Sequence, residues 1–424
     1  MHILFLTDNF PPEVNAPASR TFEHCREWVK AGREVTVITC APNFPKGVVY
    51  PGYRNRFWQT EMMDGIRVVR VWSYITANEG FALRILDYLS FMISAIAAAP
   101  FAGKADVVIG TSPHFFTACA AYVVSRMKGV PFVFELRDLW PESIKAVGAI
   151  NDGVLLRLLE SIERFLYRKA ARIVALTNAF KANLTARGID PAKIEIVTNG
   201  VDLDRFKPQD KDPALLARYD LKGKFVAGYI GTHGLAHGLS TVLEAAARMR
   251  DHADGGGYRF LFLGDGAMKS ALESEADDLG LDNVVFVESV PKSDVARHWA
   301  LLDASIIHLR KSKLFETVVP SKLFESMAMG IPILLGVRGE AAEIVQREGV
   351  GLVFEPENAG ALCEALSRMA RSRGEREKFR DNCLAAAPRY DRTALALRML
   401  AILDAVAAQP SKRVVAARTA GERR

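Results

Sequence analysis

Apolar residues fall along this chain in short, β-branched runs that alternate with stretches of helical period. Ile3–Thr7, Val35–Thr39, Val68–Val71, Val107–Thr111, Phe132–Leu136 and Ile173–Leu176 read as strands buried on both faces. Helical segments separate several of them: Phe22, Cys25, Trp28 and Val29 share one face, as do Leu155, Leu158, Leu159, Ile162 and Phe165. The alternation then restarts with Phe225–Ile230, Phe260–Leu263, Val284–Val287, Ala304–Leu309, Ile333–Leu335 and Leu352–Phe354. Its helices are predicted at about 239–250, 268–279, 321–329 and 358–371. Continuous apolar strands linked by helices predict parallel sheets covered on both faces. The polar stretch Arg205–Gly223, with Pro208 and Pro213, holds no strand pattern and separates the two sets. The expected architecture is two doubly wound domains, with ligands at the carboxyl ends of the strands.

Two segments break the pattern. Tyr88–Gly103 is free of charge but shorter than the ~20 residues that span a bilayer. It reads as a buried helix, with an interfacial membrane helix as the alternative. Upstream, Tyr50 to Trp58 mixes aromatics with Arg54 and Arg56, which suits either a membrane–water interface or a loop capping the core.

Composition narrows the class. At 424 residues, 50% hydrophobic and 25% charged, the chain can bury two or three cores and is neither disordered nor fibrous. Five scattered cysteines without a CxxC exclude a disulfide scaffold and fit a reducing cytoplasm. The N-terminus has no basic n-region and reads as a first strand rather than a signal peptide. The net charge of +6 divides as +4 over residues 1–205, −2 over 206–408 and +4 over 409–424. No dense basic stripe with interleaved aromatics runs through a domain, so no nucleic-acid partner is expected.

Chemistry concentrates after the strands of the second set. Gly231, Gly234 and Gly238 interrupt an eight-residue loop, Gly264-Asp265-Gly266 follows the next strand, and Arg310-Lys-Ser-Lys313 leads towards a helix opening at Pro320-Ser321-Lys322. Backbone N–H groups at such turns meet phosphate. Three in one domain point to a nucleotide. His233 and His237 are four apart but sit in a glycine loop without an HExxH, so no metal is expected.

In order, these residues resemble the retaining glycosyltransferases of the GT-B fold, in particular family four. Asn199-Gly-Val-Asp202 with Phe206 and Pro208, Pro320 to Pro332, and Gly351 to Pro356 carry the likeness in the second half. Thr111-Ser-Pro113 and Phe134 to Ser143 resemble the branch that builds bacterial surface polysaccharides, including amino-deoxysugar transferases of O-antigen and capsule pathways. The resemblance implies an α/β GT-B fold, two doubly wound Rossmann-like domains facing a central cleft. It implies an acceptor-binding domain over 1–205, a nucleotide-sugar domain over 206–390 and a helix at 391–408 packing back on the first domain; the basic tail at 409–424 is, from its own composition, expected to be disordered.

The same resemblance implies site roles. Glu325 would accept hydrogen bonds from ribose hydroxyls. Ser321, Lys322, Leu323, Gly231, His233, His237, Gly264, Gly266 and Arg310 would surround the donor. Arg137, Asp138 and Glu316 are the catalytic candidates, with Glu142 behind them. Asn15, Arg20, Arg54, Arg56 and Trp58 are the acceptor candidates. The sequence departs from the family pattern at Thr317, where a first Glu is usual and Glu316 stands next to it. It departs again at Thr232 and His237, where Arg and Lys are usual, and at Asn15-Ala16, where Gly-Gly is usual. Diphosphate charge must then fall to backbone N–H groups, His237, Lys322 or the Arg310–Lys313 run. The function implied is transfer of a sugar, an N-acetylated amino or deoxyamino sugar, from UDP to a polyprenyl-diphosphate-linked saccharide. It would take place at the cytoplasmic face of an anionic membrane, without a metal or other cofactor. A UDP-sugar epimerase of the same architecture and a non-catalytic GT-B subunit are the alternatives.

Overall fold

A computed structural model describes residues 1–409, except 14, 45, 77–80, 143–152 and 251–256. The expected tail lies outside the described residues but for Gln409, and so does Ser143 at the end of the first-half motif. The chain forms two units: residues 1–198 with the helix that begins near Thr393, and residues 199–392.

The first unit is built on β1 (His2–Leu6), β2 (Glu34–Cys40), β3 (Gln59–Met63), β4 (Ile66–Val71), β5 (Val107–Thr111), β6 (Phe132–Leu136), β7 (Arg172–Ala175) and β8 (Ile194–Ile196). They lie in the order β3-β4-β2-β1-β5-β6-β7-β8, parallel throughout except for the β3–β4 hairpin. Ile3 of β1 pairs with Val35 on one side and Val107 on the other, so the order reverses at the β1/β5 boundary. Helices α1 (Ala16–Lys30), α2 (Phe81–Ala98) and α3 (Phe115–Lys128) follow β1, β4 and β5. Asn15 caps α1 by accepting the Ala18 N–H at 2.8 Å. One face of the sheet packs on α1 and on the helix Arg392–Ala407, whose Leu395, Met399 and Leu403 join Phe5, Cys25 and Trp28. The indole of Trp28 donates to the Ala396 carbonyl at 2.8 Å, which fixes that last helix to this unit. The other face packs on α2, α3 and the helix Val154–Lys169.

The second unit contains β9 (Phe225–Ile230), β10 (Tyr258–Leu263), β11 (Val284–Val287), β12 (Ala304–His308), β13 (Ile333–Gly336) and β14 (Gly351–Val353), all parallel, in the order β11-β10-β9-β12-β13-β14. Within the unit this is 3-2-1-4-5-6, the dinucleotide-fold order, with its switch point between β9 and β12. The helices Ser240–Arg250 and Lys269–Asp278 match the positions read from the pattern, as do Lys322–Met329 and Ala359–Arg371.

Three expectations need correction. The boundary falls at Thr198/Asn199 rather than 205, because Val201 and Phe206 are buried in the second unit's core and Val201 bridges Asp391 there. In Val154–Lys169 the buried face is Leu156, Leu159, Glu163 and Leu166, while Leu155, Leu158 and Phe165 are exposed. This helix carries two apolar stripes, and the one that includes Glu163 is buried because Arg187 and the Tyr167 hydroxyl satisfy that carboxylate. Finally, α2 is not a buried helix. Phe91, Ala95 and Ala98 enter the core, but Leu83, Leu86 and Ile93 face outward, and the stretch Leu83–Ala102 has a mean hydropathy of 1.6 with only 28% of it buried.

Candidate functional site

In the second unit the loops after β9, β10 and β12 converge at the switch point. Gly231 N–H donates to the Leu263 carbonyl, and His233 N–H to that of Asp265, which locks the first loop onto the second. The approach is so close that a Cβ on Gly264, at φ +143°, would stand 2.1 Å from the Gly231 carbonyl oxygen. Only glycine fits there. Gly266 faces the His233 backbone in the same way, and Arg310 N–H donates to the Ala236 carbonyl, bringing in the loop after β12.

Lys322 enters this junction from the first turn of its helix. Its Nζ donates to the Tyr229 hydroxyl and lies 3.7 Å from the centroid of that ring, while a Cβ on Gly231 would stand 2.4 Å from its Cε. Burial pushes the ammonium down to about 7, only partly offset by Glu325. The junction therefore holds a cation in poor solvation, a state that an anionic ligand relieves. Tyr229, missed in the sequence because it lies within an ordinary apolar strand, anchors this lysine and donates to the Thr232 carbonyl at 2.6 Å. His308 was also missed. Its Nδ1 donates to the His237 carbonyl at 2.7 Å and its Nε2 accepts the Glu357 N–H at 2.9 Å, tying three loops together.

The other donor candidates divide. Glu325 is half-buried on the helix face away from Leu323 and Phe324. Ser321 occupies the cap position but makes no side-chain capping bond. Leu323 is fully buried, so its side chain serves the core rather than a ligand. His237 cannot supply positive charge, because burial and then Lys322 push it down to about 3. His233 is likewise neutral at about 4, for burial first and then Lys269 and Lys322. It lies against the rings of Tyr229, Phe262 and Phe286, with neither ring nitrogen hydrogen-bonded. Arg310 is half exposed and 3.5 Å from Glu357, and Lys311 is paired with Glu355, so the basic run is partly neutralised. Glu316 is half-buried in the turn Phe315–Thr317, where its carbonyl lies against Gly339. Among the described residues no group of three or more His, Cys, Asp or Glu is placed to hold a metal ion.

In the first unit, Arg137 and Asp138 follow β6, and their N–H groups reach the Ser112 hydroxyl at 2.8 and 3.2 Å. Glu142 is exposed and accepts from Asn183. Arg20 is not available to an acceptor. It is buried, 3.0 Å from the Glu135 carboxylate, and donates to the carbonyls of Val197 and Thr198. Burial would raise Glu135, but Arg20 and Arg137 hold it below the usual carboxylate range. Asn15 lines a cavity of about 200 Å³ at the β1/β5 switch point, whereas Arg54, Arg56 and Trp58 are exposed on a different surface.

Two Rossmann-like units with parallel sheets have the architecture of the GT-B glycosyltransferases. Residues 15–200 match the family described as a glycosyl transferase 4-like domain and residues 216–384 match the glycosyl transferases group 1 family; the chain belongs to the glycosyltransferases that combine the two. It is 26% identical over 408 residues to a protein named as the colanic acid biosynthesis glycosyl transferase WcaI of Escherichia coli K12, covering 91% of this chain and 98% of that one. Among solved structures, the sucrose-phosphate synthase of Thermosynechococcus elongatus superposes with a TM-score of 0.76 at 15% identity over 95% of this chain and 98% of that one. HepE of Anabaena, in complex with UDP and glucose, does so at 0.69 with 16% identity over 95% and 99%.

Proposed function

We propose that this glycosyltransferase is a retaining enzyme that moves a sugar, an N-acetylated amino or deoxyamino sugar, from UDP to a polyprenyl-diphosphate-linked saccharide during synthesis of a bacterial surface polysaccharide. The observation that carries the reading is the junction of Gly231, Gly264 and Lys322, a poorly solvated ammonium among backbone turns at the switch point. Lys322 and neighbouring N–H groups take the leaving diphosphate, Glu325 takes the ribose hydroxyls, and Glu316 is assigned to the donor sugar. The departing phosphate oxygen accepts the acceptor proton, so catalysis rests on leaving-group stabilisation and positioning, without a metal. Arg137 and Asp138 are assigned to the transferred sugar. The names of two relatives, in colanic acid and teichuronic acid synthesis, support the polymer class, and the UDP-glucose complex of HepE supports the nucleotide.

The test is thermal stabilisation by UDP, GDP and ADP. At about a hundred times its dissociation constant, the correct nucleotide adds ~2.7 kcal/mol to the native state. UDP is expected to produce that shift and Glu325→Ala to abolish it. A shift with GDP alone would transfer the donor to the guanosine class named in two mannosyltransferase relatives. No shift with any nucleotide would remove the donor assignment.

A membrane-facing acceptor fits the first unit's surface. Phe57, Ile93 and Phe101 are 81%, 63% and 71% exposed, and with Trp58 they line an apolar groove of about 660 Å³ beside Arg54 and Arg56. In flotation assays the protein is expected to bind vesicles with a third anionic lipid, and Phe57→Ser with Trp58→Ser to cut the bound fraction several-fold. Equal binding by the double variant would remove this surface from the reading.

A further inference from the structure

The cavity at the first unit's switch point is lined by Asp8, Glu13, Asn15, Asn43, Asp87 and Tyr88, among others. It sits where β1 and β5 part, the place an open α/β sheet offers to a ligand. Its volume, about 200 Å³, is below the ~300 Å³ at which drug-sized sites begin, so it suits one small ring.

Its polar groups are organised and incompletely satisfied. Glu13 is only 3% exposed. One carboxylate oxygen accepts the N–H groups of Asn43 and Phe44 at 2.7 and 2.9 Å, while the other, Oε2, has no hydrogen-bond partner. A buried carboxylate oxygen left bare is costly, and a hydroxyl donor removes that cost. Asp87 accepts from the Ser73 hydroxyl, Asp8 from the Asn9 amide, and the Asn15 amide donates in turn to Asn9. Among the described residues the cationic side chain lining the cavity is Arg84, which donates to the Tyr88 hydroxyl at 3.1 Å, while Arg70, hydrogen-bonded to the Cys40 and Pro11 carbonyls, acts on Glu13 from behind. Three carboxylates thus line the cavity with one guanidinium beside them, and a second, Arg70, acts on Glu13 from outside the lining. Burial raises Asp87 to about 6, with Asp8 adding to it; burial also raises Glu13, opposed by the Phe44 and Asn43 N–H groups and by Arg70 and assisted by Asp8. A further anion in this space meets repulsion and would force protonation.

We propose that this cavity is the acceptor-sugar subsite, that it takes an uncharged pyranose presenting adjacent hydroxyls to Glu13, Asp8 and Asp87, and that the same carboxylates exclude uronic acids and phosphorylated sugars. The proposal rests on the acceptor role assigned above to this unit. Carboxylates accept hydroxyl donors in pairs, and the Asn15 amide, which gives one N–H to Asn9, has a second as the complementary donor. The Asn55 amide donates to the Ser73 carbonyl and the Ser73 N–H donates back to the Asn55 side chain, so the loop that carries Arg54 and Arg56 begins at the cavity wall.

The experiment uses the full chain and a panel of methyl glycosides, comparing methyl glucoside, methyl galactoside and their N-acetylamino forms with methyl glucuronide and methyl galacturonide. Binding is read by saturation-transfer NMR titration at pH 7.5. At least one neutral glycoside is expected to bind at millimolar concentration, with its uronide at least tenfold weaker. Glu13→Gln keeps the oxygen that holds Asn43 and Phe44 and changes only the bare one; it is expected to weaken the neutral glycoside about tenfold. Asp87→Asn is expected to do the same and to narrow the discrimination against the uronide. Both should fold, since an ionised Asp87 lowers stability as pH rises from its ordinary value to about 6, and the amide removes that penalty. Uronides binding as well as neutral glycosides, or both variants binding as wild type, would overturn the proposal. If a nucleotide shift persists while no glycoside binds, the subsite fails and the donor site stands; loss of the nucleotide shift instead marks failure of the broader reading.

Discussion

Arg20→Ala is expected to destabilise the first unit by about 3–5 kcal/mol, the usual cost of leaving one member of a buried pair without its partner. The guanidinium is enclosed at 7% exposure and its partner Glu135 at 1%. Two further bonds, to the carbonyls of Val197 and Thr198, stitch α1 to the segment that leaves the sheet. For a unit of this size the melting temperature should fall on the order of 10 °C. The pH dependence has a definite sign. Because its folded-state value is depressed, Glu135 contributes stability above the ordinary carboxylate value of 4.5 and loses it as pH falls through the lower folded value. Without Arg20 much of that dependence should disappear. An Arg20→Met, Glu135→Leu double variant, which leaves neither charge stranded, should recover most of the melting temperature. An unchanged melting temperature in Arg20→Ala, with acceptor binding weakened, would instead give Arg20 the ligand role expected from its position after the first strand.

That position shows where reading the sequence reached its limit. An arginine one turn into a helix after a parallel strand looks poised for an anion. What decides otherwise is Glu135, 115 residues away on β6, and no local pattern reports that pairing. The strands themselves were plain because parallel strands, buried on both faces, need unbroken β-branched runs. Every strand of the second unit was recovered, and with them the 3-2-1-4-5-6 order became a small step. The two strands that escaped lack this signature. In β3, Gln59–Met63, burial alternates between half-buried and exposed at the sheet edge, and β8 has three residues. A cue for β3 was present in Asp64-Gly65, both with positive φ, a hairpin turn pair before Ile66.

The junction of glycine loops and Lys322 was half legible. Glycines after strands and a lysine opening a helix mark phosphate chemistry by spacing alone. Tyr229 and His308 have no such mark: each belongs to an apolar strand, and its role comes from which loops fold over it. The cavity in the first unit was less visible still. Asp8, Glu13, Asn43 and Asp87 come from two loops and α2, and only the sheet order brings them together. The partly exposed α2 was misjudged for a related reason, since composition reports that a helix is apolar but not how many of its faces find a neighbour.

Lys322→Met is expected to lower turnover by 10²–10³ and to weaken nucleotide binding at least tenfold, the scale of a charge-assisted contact that strengthens as the leaving group gains charge. The substitution fills similar space and removes a poorly solvated charge, so the free protein should be no less stable than wild type. The pH dependence provides the sharper test. Burial holds the ammonium at about 7 in the free protein, and a bound diphosphate must pull it upward. Binding selects the protonated form, which becomes scarcer as pH rises. The dissociation constant for a UDP-sugar, whose phosphates do not titrate in this range, should therefore increase up to tenfold per unit between pH 7 and 9. His233 and His237 are pushed far below this window and contribute nothing to the slope. Calorimetry at pH 8 in buffers of different ionisation enthalpy should register close to one proton taken up per nucleotide, and Lys322→Met should register none. A flat pH profile in the wild type would mean that Lys322 is already stably charged and that the loop backbone and Arg310 hold the diphosphate instead.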